Sequence, residues 1–208
     1  MKLLHIDASL RAEGSASRAL SAFFLEELRA GGLTLDIDRL DLAEDPPDHF
    51  GPVHAAAIYL PVEQHTEEMK TALAASDALA TRVLAADALV ISTPVYNFGM
   101  PSALKAFIDH VSRSGLTFSM TETGIVGHLA GKRIAILASA GGNYRPGAMF
   151  DGLDCLTPHL RAIFGFLGAA PDIILAHPTT FEGPEMKAQA IREAEDAARA
   201  LAQTWCAG

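Results

Sequence analysis

The chain lacks the two glycine signatures by which nucleotide sites most often show themselves. There is no G-x-x-x-x-G-K-[ST] to cradle a magnesium-bound triphosphate and no G-x-G-x-x-G to hold a dinucleotide pyrophosphate. Cysteine is scarce: Cys155 and Cys206 stand far apart with no C-x-x-C, which argues against a disulfide framework and fits a reducing, cytoplasmic setting. Positive charge is in deficit, with a formal net charge of -9. A nucleic-acid surface would be basic and an anionic membrane would repel such a chain, so neither is expected as a partner. No apolar run reaches membrane-spanning length. The opening residues imitate a signal peptide only until Asp7, Ser9 and Arg11 interrupt them. The eight histidines are scattered, and His49 and His54 sit in a loop without a ligating pattern, so no metal is expected.

What is present is an alternation of short apolar runs with longer helical patterns. At 208 residues and 50% apolar content, the simplest expectation is one domain over residues 1–208. Candidate strands cover 3–7, 33–39, 88–93, 133–139 and 173–177; candidate helices cover 17–30, 67–85, 102–114, 152–167 and 184–204. Runs such as Ala88-Leu-Val-Ile91 are apolar at consecutive positions, as in strands covered on both faces. The order implies an α/β fold: a doubly wound, five-stranded parallel sheet with helices on both faces. Two segments fall outside that unit. Residues 45–64 carry four prolines and read as a long loop with a possible helical turn at 55–60, and 117–128 could form a small hairpin. Long loops in compact domains usually serve as lids or contact surfaces.

Three loops that follow strands carry the chemistry. The first, from Ser9 through Arg11 and Gly14 to Ser15, Ala16 and Ser17, leads into a helix start, where free N–H groups and the helix dipole favour an anion. Hydroxyls without a lysine suit a single terminal phosphate, although Ser15 or Ser17 could simply cap the helix and Arg11 and Arg18 could face solvent. The second, Pro94-Val95-Tyr96-Asn97-Phe98-Gly99-Met100-Pro101, places two aromatics around an amide and suits a flat conjugated ring, although one aromatic could be core packing. The third, Ser139-Ala140-Gly141-Gly142-Asn143-Tyr144, has paired glycines that let backbone approach a ligand, or that make an ordinary turn. In a doubly wound sheet these loops converge on one crevice. A phosphate end joined to a flat ring is the outline of a flavin mononucleotide.

With these residues in view, the chain resembles the FMN-dependent NADH:quinone oxidoreductase and azoreductase family of flavodoxin-like fold. The shared pattern runs from Asp7-Ala8-Ser9 and Ser15-x-Ser17 through Pro94 to Pro101, Leu104-Lys105, Phe107-Ile108-Asp109, Phe118 and Gly124 to Gly131-Lys132 and Ser139-x-Gly141-Gly142. The resemblance implies that Ser9, Ser15, Ala16 and Ser17 bind the FMN phosphate. It further implies that Pro94, Val95, Tyr96, Asn97 and Phe98, with Ser139, Ala140, Gly141 and Gly142, hold the isoalloxazine. Where this chain has Ala140 some members have arginine, so only a backbone role is carried over there. Family members are typically homodimers whose active sites are completed across the interface. Phe118, Met120 and Tyr144 are expected in the substrate pocket, with the 45–64 loop and the helix bearing Phe164 and Phe166 as further walls. Asn97 is the expected catalytic residue, its amide facing the ring. NADH or NADPH is the expected donor, a quinone or azo compound the expected acceptor, and ping-pong hydride transfer through FMN the expected scheme.

Two other readings compete. Ser139 half-matches the G-x-S-x-G elbow of a serine hydrolase, with Asp172 and His177 downstream in the order that fold uses. The acidic charge would equally suit a flavodoxin-like electron carrier or a redox sensor.

Overall fold

Central runs such as Ala88–Ile91 and Ile134–Ala138 become parallel strands buried on both sides, flanked by edge strands, 36–41 and 172–176, that stay partly exposed. The structure, a computed structural model, describes residues 1–58 and 60–208. Strands β1 (Lys2–Asp7), β2 (Asp36–Asp41), β3 (Ala88–Pro94), β6 (Arg133–Ser139) and β7 (Asp172–Ala176) form one sheet in the order β2-β1-β3-β6-β7, every pairing parallel. Alternate residues feed two cores. Leu4, Ile6, Leu89, Ile91, Ile134 and Ile136 pack on one face against α3 (Glu67–Ala85), α4 (Ser102–Val111) and α5 (Thr157–Phe166). Leu3, Val90, Ala135 and Leu137 pack on the other against α1 (Ala16–Ala30) and α6 (Gly183–Ala207). There α6 contributes Ala190, Ala194, Ala198 and Ala202 at helical spacing, and Trp205 meets Phe24 edge-on at 5.2 Å.

The expected fold class is therefore observed, with boundaries that differ for identifiable reasons. The second strand runs to Asp41 rather than Arg39, because Asp41 is drawn in by Arg18, whose Nη1 lies 2.5 Å from its carboxylate. Helix α5 begins at Thr157, not 152, because Asp154 caps it, accepting from Leu156 and Thr157 N–H at 2.9 and 3.0 Å. Cys155, expected inside that helix, stands exposed in the preceding loop. Helix α4 ends at Val111, where Thr117 Oγ1 donates to the Val111 carbonyl at 2.5 Å and accepts from Arg113 N–H at 2.9 Å. The 45–64 segment contains α2 (Pro52–Ala57) and a 3-10 turn at Val62–Gln64; the expected turn at 55–60 includes Tyr59, outside the described residues. Phe50, His54 and His110 cluster there with centroids 4.9 to 5.5 Å apart, His110 edge-on to the other two rings.

The small hairpin is present as β4 (Phe118–Thr121) and β5 (Gly124–Gly127). It is pinned to the end of α5 by glycine-to-backbone contact. A Cβ on Gly127 would overlap the Leu167 carbonyl, and one on Gly168 would lie 2.6 Å from the Gly127 oxygen. Neither neighbour is a side chain that can turn aside. Gly127→Ala should lower stability by about 1–3 kcal/mol, the range for overpacking. Urea unfolding measures this, and an unchanged midpoint would show that the hairpin docks loosely.

Candidate active site

The ends of β1, β3, β6 and β7 open on one cavity of about 470 Å³, within the range of roughly 300–1,000 Å³ typical of small-molecule sites. Its wall comprises Ser9, Arg11, Gly14, Ser15 and Ala16 at one end, residues 94–98 and Ser139, Gly141 and Gly142 along the middle, and Tyr144, Phe150, Thr179, Thr180, Phe181 and Lys187 beyond. Among the described residues no carboxylate lines it, although acids outnumber bases in the chain, 25 to 16.

At the first end, Ser15 caps α1: its Oγ accepts from Arg18 N–H at 3.4 Å and lies 3.2 Å from Ser17 Oγ. The N–H groups of Ala16 and Ser17 belong to the first turn and have no intrahelical acceptor. The capping and anion readings of this loop are thus compatible, since the cap orients a turn that starts at the cavity wall with Ser15 and Ala16. Arg18 is not a free cation. It is spent on Asp41 and on the Ser9 carbonyl, the latter at 2.7 Å.

In the middle, Tyr96 and Gly99 exchange two backbone hydrogen bonds of 2.9 and 3.0 Å across Asn97 and Phe98. Both central residues are left-handed, at φ 48° and 69°, as a type I′ turn requires. Asparagine tolerates this conformation; for phenylalanine it is a strained exception of the kind concentrated at functional sites. Phe98 is 42% exposed and Tyr96 half-buried, and both line the cavity. Val95 N–H donates to the Ser139 carbonyl at 2.7 Å and Cys155 N–H to the Phe98 carbonyl at 3.0 Å, so this turn is fastened to its neighbours on both sides. In the third loop, the N–H groups of Gly141 and Gly142 meet no acceptor among the described residues and lie in the cavity wall.

Of the expected cofactor residues, Ser9, Ser15, Ala16, Pro94, Val95, Tyr96, Asn97, Phe98, Ser139, Gly141 and Gly142 meet in this one cavity. Ser17 and Ala140 do not line it. Ser17 is fully buried behind Ser15, and the Ala140 amide and carbonyl are taken by Ala176 and Thr179. Tyr144 is in the wall; Phe118 packs edge-on against Phe166 at 4.8 Å and Met120 is 74% exposed on the hairpin, both outside this chain's own cavity. Sequence reasoning missed Thr179, Thr180 and Phe181, although they follow the fifth strand as the other loops follow theirs. It also missed Phe150 and Lys187, which carry no motif.

The hydrolase reading fails on geometry. Asp172 opens β7 opposite Ala135, whereas His177 follows its far end beside Ser139, about 16 Å away along an extended strand. His177 Nδ1 is already engaged, accepting from Tyr144 N–H at 3.0 Å.

A parallel sheet in the order β2-β1-β3-β6-β7, with its crevice at the reversal beside β1 and β3, an anion-favouring helix start and a slot for a planar ring, defines a mononucleotide-type α/β protein. A family model described as flavodoxin-like fold matches residues 1–202, and the chain belongs to that family, within its group of FMN-dependent NADH:quinone oxidoreductases and azoreductases. An FMN-dependent NADH:quinone oxidoreductase of Azospirillum brasilense is 37% identical over 203 residues, spanning 97% of this chain and 98% of that one. An azoreductase from Bacillus anthracis superposes with a TM-score of 0.88 at 26% identity, over 98% and 99% of the two chains. An FMN-dependent NADH-azoreductase from the same species, solved in complex with FMN, gives 0.82 at 28% identity over 97% and 99%.

Burial, followed by nearby Arg145, lowers the His177 pKa from 6.5. The folded chain therefore prefers neutral imidazole, and the unfolded chain takes up a proton first as pH falls. The resulting stability is complete above pH 6.5 and declines below it until the folded ring itself protonates. His177→Asn keeps an acceptor oxygen without a titrating group. Its Tm should fall less between pH 7 and 5 than that of the wild type; parallel curves would exonerate His177.

Proposed function

We propose that this chain is an FMN-dependent oxidoreductase that passes two electrons from NADH to quinones and, in two visits, to azo compounds. The observation that carries the reading is the continuity of the cavity, from the free amides of α1 past the strained turn at Asn97 and Phe98 to the unpaired N–H groups of Gly141 and Gly142. FMN fits that donor set: a terminal phosphate at the helix start, a planar ring beside the turn, and its electron-rich edge at the glycine amides. When bound, FMN supplies the hydride transfer between donor and acceptor. Ser9, Ser15 and the amides of Ala16 and Ser17 hold the phosphate, assisted by Arg11 and Lys187, the two cations of the wall. Pro94 to Phe98 fix the ring, and the glycine amides are preorganised donors where negative charge develops. Overall, NADH, a quinone and a proton give NAD and the hydroquinone.

Donor and acceptor occupy the same position in turn, which is a ping-pong scheme. The chain works as a homodimer. Met120, Ile125 and Phe166 are exposed on the hairpin and the adjoining end of α5, an apolar surface suited to a second copy, through which Phe118 and Met120 reach the partner's cavity. No described helix is long and apolar enough to cross a membrane, and a cytoplasmic location accords with the two free cysteines.

The visible spectrum of the protein loaded with FMN, recorded before and after anaerobic NADH, tests the reading. Bound flavin should bleach. Flavin that binds but ignores NADH and NADPH would point instead to an electron carrier. Asn97→Ala would confound strain with chemistry, because alanine pays about 1–2 kcal/mol in the left-handed region. Asn97→Gly keeps the turn and removes only the amide, and it should lower turnover with little change in Tm. Full turnover and full FMN content in that variant would exclude a catalytic amide.

A further inference from the structure

Phe150 belongs to no motif, yet its ring is the hub of the aromatic side chains in the cavity wall. It lies directly on the Gly142 backbone, where a Cβ would run into it. It stacks on Tyr144 with centroids 5.6 Å apart and planes 25° from parallel, and its centroid is 6.0 Å from that of Phe98 and 6.3 Å from that of Phe181. The segment that carries it is fastened rather than loose. Phe150 N–H donates to the Asn143 carbonyl at 3.1 Å, Gly147 N–H to Asp151 Oδ2 at 2.8 Å, and Arg145 pairs with Glu193 on α6. Its far end is tied to the catalytic turn through the bond from Cys155 N–H to the Phe98 carbonyl. The wall beyond Asn97 is therefore a fixed aromatic surface.

We propose that Phe150 is a specificity-determining residue that selects acceptors with a fused second aromatic ring. The proposal rests on the oxidoreductase reading and names its substrate class. A one-ring quinone held beside Asn97 and Phe98 has no second ring to set against Phe150; a two-ring quinone has. Neither the electron source nor the balance changes: the quinone takes a hydride originating from NADH and a proton from solvent. An aromatic pair of this kind contributes about two- to twelvefold to affinity beyond the area it buries.

The experiment compares kcat/KM for 1,4-naphthoquinone with that for 1,4-benzoquinone in FMN-loaded wild type, Phe150→Leu and Phe150→Tyr, with FMN content and anaerobic NADH bleaching measured on each. The naphthoquinone-to-benzoquinone ratio should drop about two- to twelvefold in Phe150→Leu and return in Phe150→Tyr. Equal losses on both quinones would make Phe150 mere packing and overturn the proposal while leaving the oxidoreductase intact. A wild type that takes up no FMN, or fails to bleach, overturns the parent reading and is seen before any ratio is taken. Should Phe150→Leu not fold, inhibition of the wild type decides: naphthalene-2-carboxylate should inhibit more tightly than its 5,6,7,8-tetrahydro analogue, and equal inhibition would refute the aromatic contact.

Discussion

The carboxylate of Asp7 is the constraint around which this end of the molecule is arranged. It is buried at the last position of β1, where an unpaired charge would be prohibitive, and it is satisfied from three directions, with a fourth side chain, His5, close by. Ser92 on β3 donates at 2.5 Å, Arg39 on β2 at 2.9 Å, Arg18 on α1 approaches to 3.3 Å, and His5 Nε2 lies at 3.6 Å. Those partners fix how β2, β3 and α1 meet the strand end, and so fix the first turn of α1 against the Ser9 loop. The same network explains why Arg18, a plausible phosphate ligand by position, is unavailable: its guanidinium is spent holding Asp7, Asp41 and the Ser9 carbonyl in place. That end of the cavity is therefore lined by amides and hydroxyls, with Arg11 of the same loop and Lys187 of α6 as the cations of the described wall.

How much of this was legible in the sequence depends on whether the cause was local. The buried strands announced themselves because two covered faces leave no alternation, and β6 was read to the residue. The three loops after β1, β3 and β6 were legible because their composition is unusual at a strand end. Boundaries set by distant partners were not legible: Asp41 enters β2 through Arg18, and Asp154 caps α5 from inside what looked like the same helix. Ser17 shows the limit of motif reading. It belongs to the hydroxyl cluster by spacing, but its side chain turns inward while the serine two residues earlier faces the cavity. Phe150 and Lys187 were invisible because nothing in their own neighbourhoods marks them; tertiary folding alone brings them to the wall.

The turn at Asn97 and Phe98 shows how such a site is stiffened. A left-handed phenylalanine is locally unfavourable, and it persists because two turn hydrogen bonds, the tether to Ser139 and the bond from Cys155 over-determine the backbone. Stability given up here returns as a loop that need not reorganise when a ring enters, and the glycine loop beside it is held in the same manner by Thr179, Thr180 and Phe181.

The strand order has a consequence for how the protein is made. Because β3 lies between β1 and β6, and β7 adds the last loop, the cavity draws on residues from Ser9 to Lys187. No amino-terminal portion of the nascent chain that stops short of α6 possesses the site. The complete wall is present only once α6 has been made and Lys187 has reached it.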